Sequence, residues 1–452
     1  MRETLHAGLL TNLATGPKSG KELATKLGVS QPTLSRTLTA LGEQVVVLGR
    51  GRTTLYARPR ILRGLSGLFP VYRVDEHGVV YLIGNLQALL GGGFWWQAED
   101  ADRESRYFDQ LPWFLQDMRP DGFIGRDFAL RHGAELGLPE KLREWHDDDV
   151  LIALARRGED HVGNLLIGDE SLGRYLHSAA QPLPAITEAE RGESYAELAL
   201  MALEGDPPGS SAGGEQPKFT ALVGEGAASR QVLVKFSPPL TQADGGRWGD
   251  LLRCEDLALR VVAECGIAAA RSQLVTGGGR VFLEVERFDR SGRLGRNALF
   301  SLRAIDGAYV GCGGDWLRCA GALHRAGVIA AEDARRMRWL KVFGDLIANS
   351  DMHAGNLSFR WQAAGRYTLA PVYDMLPMLY RPVGGELLMR TFAPPLPGME
   401  TASVWPEALQ SALRFWELAA ADAEISVEFR AICRENHARL QEVERLPGVV
   451  AR

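Results

Sequence analysis

Apolar residues recur at helical spacing in three short stretches at the start of the chain. The first runs to about Thr15 and is broken by Gly16-Pro17. Ser19 is placed to cap a second helix through Leu27, with Leu23, Ala24 and Leu27 inward and Gly28 making the next turn. Ser30 caps a third, and Pro32 sits in its first turn, where a missing N–H costs little. Leu34, Leu38 and Leu41 then face inward, which turns Gln31, Thr33, Ser35 and Arg36 outward. Two strands follow, Val45 to Leu48 and Thr53 to Ala57, joined by Gly49-Arg50-Gly51-Arg52. This order predicts a winged helix-turn-helix over residues 1–63, with the outward side chains of the third helix placed for the major groove. Arg50 and Arg52 form a wing tip suited to phosphate or minor-groove contact.

The pattern weakens over residues 64–205. Short strands are expected at Val71 to Val74 and, buried, at Val79 to Ile83, the latter leading into Gly91-Gly92-Gly93. A helix is expected from about Glu140, and an apolar run follows at Val162 to Ile167. Trp95, Trp96, Trp113 and Phe114 read as core anchors, because nothing titratable is arranged around them. Residues 206–300 turn strand-like around one helix, about Gly249 to Cys265. Residues 301–452 turn helical: Ala331 to Ala348 carries Met337, Leu340, Phe343, Leu346 and Ile347 along one side. A hairpin of Leu357 to Trp361 and Tyr367 to Pro371 follows.

At 452 residues the chain is too long for one core. Its 46% hydrophobic and 24% charged residues exclude a disordered or fibrous chain. The net charge of −5 hides an asymmetry: residues 1–63 sum to +7 and the remainder to −12, which confines any nucleic-acid contact to the head. The five cysteines are scattered without a Cys-x-x-Cys pair, so neither a zinc knuckle nor a disulfide framework is expected, and a reducing cytoplasm fits. Met1 to Leu13 is amphipathic and lacks a following cleavage site, so no signal peptide is expected. The uncharged stretch from Gly78 to Ala98 is broken by Asn85, Gln87, Gln97 and the glycine triplet, so no membrane partner is expected.

The chemistry lies further along. Asn349-Ser350-Asp351-Met352-His353-Ala354-Gly355-Asn356 sets an acid and an amide five residues apart on one loop. Protein-kinase-type phosphotransferases use this spacing so that an Asp meets the substrate hydroxyl while an Asn holds magnesium. Asp374, after the hairpin, stands where such enzymes keep a second metal-binding acid. Lys235 lies within the apolar run Val232 to Phe236 and needs a partner; Glu255 on the next helix offers one, with Asp256 as the alternative. Ahead of it, Gly209 to Lys218 is a small-residue loop whose amides are able to approach phosphates. Leu283 to Arg290 reads as a strand of alternating faces entering a charged turn. It fits either an adenine-side linker or a solvated salt-bridge cluster.

Taken together, Ser210 to Lys218, Leu233 to Phe236, Val285 to Arg290, Asn349 to Phe359 and Pro371 to Pro377 resemble the motifs of the HipA family of serine/threonine kinase toxins. Leu151 to Gly168 is similar to the end of that family's N-terminal subdomain. The fused head departs from the usual HipA chain, whose DNA-binding antitoxin of the HipB type is a separate protein, and matches a single-chain variant. The resemblance implies an α+β fold: the winged helix-turn-helix (1–63), a HipA-type N-terminal subdomain (64–205), a mixed kinase N-lobe (206–300) and a helical C-lobe (301–452). It implies ATP and Mg2+ as cosubstrates and a protein substrate, in HipA an aminoacyl-tRNA synthetase acting on glutamate. Asp351 would be catalytic with Lys235 on phosphate, and Asn356 and Asp374 would bind metal. Ser211, Gly213 and Gly214 would line the nucleotide, Glu286 and Phe288 would lie near adenine, and Ser210 would be autophosphorylated, with Ser211 beside it as the competing acceptor. His353 is expected to orient the loop. Between Asn297 and Trp316 the chain departs from the family's acidic and aromatic pattern, which bears on substrate choice. Two other functions stand beside a growth-arresting kinase. One is a DNA-binding regulator with a nucleotide-sensing body; the other is a metal-dependent nuclease using Asp351, His353 and Asp374.

Overall fold

The computed structural model describes residues 2–51, 54–99, 104–181, 185–204, 216–226, 229–362 and 365–446. Contacts divide the chain into two compact units, residues 1–119 with 133–182, and residues 120–132 with 183–452.

The first unit opens with α1 (Arg2–Leu13), β1 (Lys18–Ser19), α2 (Gly20–Leu27), α3 (Gln31–Leu41), β2 (Val46–Leu48) and β3 (Leu55–Ala57). Ser19 and Glu22 form a reciprocal capping box at the start of α2, and Gly28 closes it in the left-handed region at φ 64°. Ser30 caps α3. Leu9, Leu13, Leu23, Leu34, Leu38 and Leu41 share one core. The two-residue β1 has no sequence signal; it adds an edge to the hairpin, giving the order β1-β3-β2.

A five-stranded antiparallel sheet follows, built from β4 (Leu68–Val74), β5 (Val80–Ala88), β6 (Phe94–Ala98), β7 (Arg106–Phe108) and β8 (Leu165–Ile167), in the order β7-β6-β5-β4-β8. The strand expected to be buried from Val79 is buried only toward its end: Val79, Tyr81 and Leu82 are exposed, and Leu86 and Ala88 are not. A bulge beside Val71 shifts the register, and of that first run Val80 packs with Leu166 and Tyr175. Trp95 and Trp96 are buried, and Phe114 meets Trp96 edge-on with centroids 5.2 Å apart, as core anchors do. The helix α4 (Gly122–Leu136), whose residues 122–132 belong to the second unit, has no single apolar face for the sequence to signal, and Ile124 and Leu130 are exposed. The helix expected from Glu140 begins later, as α5 (Asp147–Arg157), whose three leading acids suit its dipole. α6 (Gly168–Ala180) ends the unit's regular structure.

In the second unit, α7 (Arg191–Leu203) precedes an antiparallel sheet of β9 (Lys218–Val223), β10 (Arg230–Phe236), β11 (Ser272–Gly277) and β12 (Arg280–Glu286), ordered β11-β12-β10-β9. The helix α8 (Ala243–Glu264) joins β10 to β11. Tyr195 of α7 packs with Phe219, Phe236 and Phe282 on one face; Leu252 of α8 packs with Val281, Leu283 and Val285 on the other. Both faces are therefore covered, and β12 is buried along nearly its whole length instead of alternating. A Cβ on Gly277 would lie 1.9 Å from the Gly192 carbonyl oxygen, so α7 meets the end of β11 backbone to backbone.

The hairpin of β13 (Arg290–Ser291) and β14 (Gly295–Arg296) leads to the helical part. Here β15 (Phe300–Ser301) pairs with the expected hairpin, seen as β16 (Ser358–Trp361) and β17 (Tyr367–Leu369). The helices are α9 (Leu302–Tyr309), α10 (Trp316–Arg325), α11 (Ala331–Leu346), α12 (Trp405–Ala421) and α13 (Val427–Glu444). On α11, Met337, Leu340, Phe343 and Leu346 are buried, as their spacing predicts. α8 is fastened to α13: the Asp250 carboxylate accepts from the backbone N (2.8 Å) and Oγ (2.6 Å) of Ser426, the α13 cap. Arg247 lies 4.8 Å over the Phe429 ring. Among the described residues no helix is long and apolar enough to cross a membrane.

Candidate functional site

Lys235 is buried on β10; Val234 and Phe236 point to the opposite face, packing with Tyr195, so its side chain lies on the face covered by α8. Its Nζ donates to Glu255 Oε1 (2.6 Å) and Oε2 (2.7 Å) and also contacts the Asp374 carboxylate. Glu255, halfway along α8, is wholly buried and accepts in turn from the Asp374 backbone N at 3.2 Å. The competing Asp256 is engaged elsewhere, by Ser272 Oγ at 2.7 Å and Arg260 at 3.1 Å.

The electrostatics follow from one cation between two acids. Burial pulls the Lys235 ammonium toward neutrality, but Asp374 and Glu255 outweigh it and hold the group charged, its pKa above the ordinary lysine value. Burial likewise works to raise Asp374. Lys235 and then Lys218 overcome it and hold the carboxyl below the ordinary range, with His353 adding to the effect. For Glu255 burial wins over Lys235, and the carboxyl lies above its usual value.

The loop carrying Asp351 and Asn356 leaves α11 through Ala348, which adopts a left-handed φ of 60°. Asn349 then bridges two parts of the site: its Nδ2 donates to the Asp374 carbonyl (3.2 Å), and its Oδ1 accepts from Asp351 N (3.1 Å). Asn356 Nδ2 donates to the Asp351 carbonyl (2.9 Å), so its amide oxygen, an acceptor, is the atom suited to ligate a cation. His353 orients the loop as expected, its Nδ1 accepting from Gly355 N at 3.0 Å. Tyr373 OH donates to the Gly355 carbonyl at 2.7 Å, tying the loop to the residue before Asp374. Asp374 itself has φ 54°, a conformation that costs a non-glycine residue on the order of 1–3 kcal/mol.

The fold thus gathers Lys235, Glu255, Asp374, Asp351 and Asn356 through one continuous set of bonds. Phe288 packs against Tyr373 with centroids 5.8 Å apart, so it borders the same region. Glu286 sits half-buried at the end of β12, 3.8 Å from Arg271. Ser210, Ser211, Gly213 and Gly214 lie outside the described residues, as does Arg52. In the head, Gln31, Ser35, Arg36 and Arg50 are exposed, whereas Thr33 is half-buried, its hydroxyl 2.9 Å from Ser30 Oγ. Gln31 Nε2 also donates to the Gly20 carbonyl (3.3 Å).

Sequence reasoning gave no role to Lys218, Asn349 or Tyr373. Lys218 pairs across the ladder with Lys235, a register that becomes visible only once β9 and β10 are aligned. Asp374 and Asn356 supply a carboxylate and an amide oxygen, hard donors of the kind Mg2+ takes while keeping several waters, so the residues present fit that ion.

Two family profiles match the chain: the YjjJ-like toxin, middle domain, over residues 65–176, and the HipA-like C-terminal domain over residues 210–443. Toxin YjjJ of Escherichia coli strain K12 is 37% identical over 437 residues, covering 96% of this chain and 97% of that one. Among solved structures, the fold resembles HipA from the Shewanella oneidensis MR-1 complex of HipA, HipB and operator DNA. The TM-score is 0.52 at 16% identity, over 84% of this chain and 99% of that one. The chain belongs to the HipA family of toxins, on the YjjJ-like side of it.

Proposed function

We propose that the second unit is an ATP- and Mg2+-dependent protein serine/threonine kinase whose action on a cellular protein arrests growth. The observation that carries this reading is the Lys235 ammonium, bonded to both oxygens of Glu255 while touching Asp374. A charge held in this way is fixed in position and stays protonated, as a group meant to neutralise phosphate oxygens must.

In the reaction Asp351 orients a substrate hydroxyl and takes its proton as the oxygen–phosphorus bond forms and the bond to ADP breaks. Its carboxylate is aimed by the Asn349 and Asn356 bonds to its own backbone. Lys235 binds phosphate oxygens, and Asn356 and Asp374 would hold Mg2+, which supplies charge neutralisation on the phosphates. Phe288 and Glu286 would lie near the base, and Ser211, Gly213 and Gly214 are proposed to contact the phosphates. Ser210 is proposed as the residue the enzyme phosphorylates on itself.

The three helices and small sheet of residues 1–63 are proposed as a winged helix-turn-helix. Gln31, Thr33, Ser35 and Arg36 would enter the major groove, and Arg50 and Arg52 would lie on the flanking backbone. The Shewanella complex holds HipA with HipB and operator DNA, so DNA and a HipB-type antitoxin are proposed as partners here. An aminoacyl-tRNA synthetase is the proposed target. Phosphoproteomics after brief induction of the wild type against Asp351→Ala tests the whole reading. It should yield a small set of sites missing from the variant, and identical phosphoproteomes would remove the kinase assignment.

A further inference from the structure

Away from Lys235 and Asp374, three donor side chains meet where α9 hands over to α10. The Asp306 carboxylate and the sulfurs of Cys312 and Cys319 all lie within 4.8 Å of one another. Asp306 and Cys319 are buried, while Cys312 is half-buried and gives the cluster an approach from solvent. The loop between the helices is shaped for this. Gly311, Gly313 and Gly314 have φ of 66°, 76° and 76°, values that L side chains seldom adopt. The backbone therefore curls around Asp306, and the amides of Cys312 (2.5 Å) and Gly314 (2.8 Å) donate to its two oxygens. Each oxygen keeps a second lone pair, so these bonds fix the carboxylate without exhausting it.

We propose that Asp306, Cys312 and Cys319 form a binding site for one thiophilic divalent cation of the zinc class. Two sulfurs and one carboxylate select zinc over magnesium or calcium, which prefer oxygen alone. Zinc–sulfur bonds of about 2.3 Å and zinc–oxygen bonds of about 2.0 Å in a tetrahedron set ligand atoms roughly 3.5–3.8 Å apart, so the cluster needs to close by no more than about 1.3 Å. A water takes the fourth position on the Cys312 side. Binding expels one proton from each thiol, two in all, and leaves the site with a single net negative charge.

The place of the cluster gives the cation something to do. A Cβ on Gly314 would stand 2.8 Å from the Ala354 Cβ, so the glycine loop lies directly against the loop bearing Asp351 and Asn356. Trp316 opens α10 and donates Nε1 to the His353 carbonyl at 3.2 Å. Arg303 N, on α9, donates to the Ala354 carbonyl at 3.1 Å. Joining the two helices through a metal would stiffen the scaffold on which that loop rests. Metal binding itself does not depend on phosphoryl transfer.

The test uses the reduced, full-length chain titrated first with Co2+ and then with Zn2+. The wild type should take about one equivalent of Co2+ with thiolate charge-transfer absorption in the near ultraviolet, which Zn2+ abolishes. Cys312→Ser changes a half-buried position and should weaken binding at least about tenfold while lowering that absorption. Cys265→Ser alters an exposed cysteine elsewhere and should behave as wild type. A wild-type spectrum without thiolate absorption would overturn the proposal, and so would equal affinities for the two serine variants. An intact mass two hydrogens light, mapped to a Cys312–Cys319 disulfide in the freshly purified chain, would overturn it as well.

Discussion

Lys235→Met removes the ammonium lying between two acids and keeps most of the volume of its stem. At the observed 2.6–2.7 Å to Glu255, two unit charges attract by about 6 kcal/mol at an effective dielectric constant near 20. Desolvation offsets much of that attraction in the intact site. In the variant no cation offsets it, and breaking a buried pair costs about 3–5 kcal/mol. The pH dependence has a definite sign. In the wild type the lowered Asp374 contributes stability above its unfolded pKa of about 3.9, and loses it as pH falls through the folded value. The raised Lys235 contributes below about pH 10.4 and loses it as pH rises through its folded value. Without the lysine both carboxyls titrate higher, so the variant's deficit is full near neutrality and shrinks as pH falls toward 4. Glu255→Gln should cost far less, because Lys235 still faces Asp374 and a carboxyl already raised by burial is no longer ionised. Urea unfolding followed by fluorescence reads this, since the buried Trp316, Trp339 and Trp416 report on the second unit. A Lys235→Met protein within 1 kcal/mol of wild type at pH 7, or equally weakened at pH 4.5, would refute the reasoning.

Asp351→Ala should abolish transfer from labelled ATP and phosphate on Ser210 or Ser211, while an operator-binding assay reads unchanged affinity; a toxic variant would point away from kinase action. Replacing Arg50 and Arg52 by Ala should weaken DNA binding and flatten the plot of log affinity against log salt by about two units, and an unchanged slope removes them from the interface. Gly277→Ala drives a methyl into the Gly192 carbonyl and should cost about 1–3 kcal/mol in the same urea experiment, with no loss if α7 and β11 are not in backbone contact.

What the sequence disclosed depended on how far apart the cooperating residues lie. The loop that joins Asp351 and Asn356 was legible because both lie in one contiguous stretch. The Lys235–Glu255 pair was readable because a lysine inside an apolar strand demands an acid, and the next helix offered two. Glu284 shows where such reasoning stops. The charged strand fitted a solvated cluster, yet Glu284 is buried, accepting from Arg191 (2.9 Å), Tyr195 (2.7 Å) and Arg230 (2.7 Å) contributed by α7 and β10. No local pattern announces partners gathered from two other elements. The same holds for Asp306, Cys312 and Cys319, whose spacing matches no metal motif and which meet only because the left-handed glycines curl the loop. Periodicity also failed where a bulge changed phase, as beside Val71, and where a helix such as α4 lacks a single apolar face.

The anchoring of α8 to α13 bears on how the proposed kinase would be turned off. An outward swing of the helix that bears Glu255 would tear the Asp250 carboxylate from the Ser426 cap and lift Arg247 off Phe429. Inactivation by that route would drag the C-terminal helix along, which makes it a slow and expensive gesture. On the proposed reading, rapid silencing would therefore have to act on parts not stapled in this way.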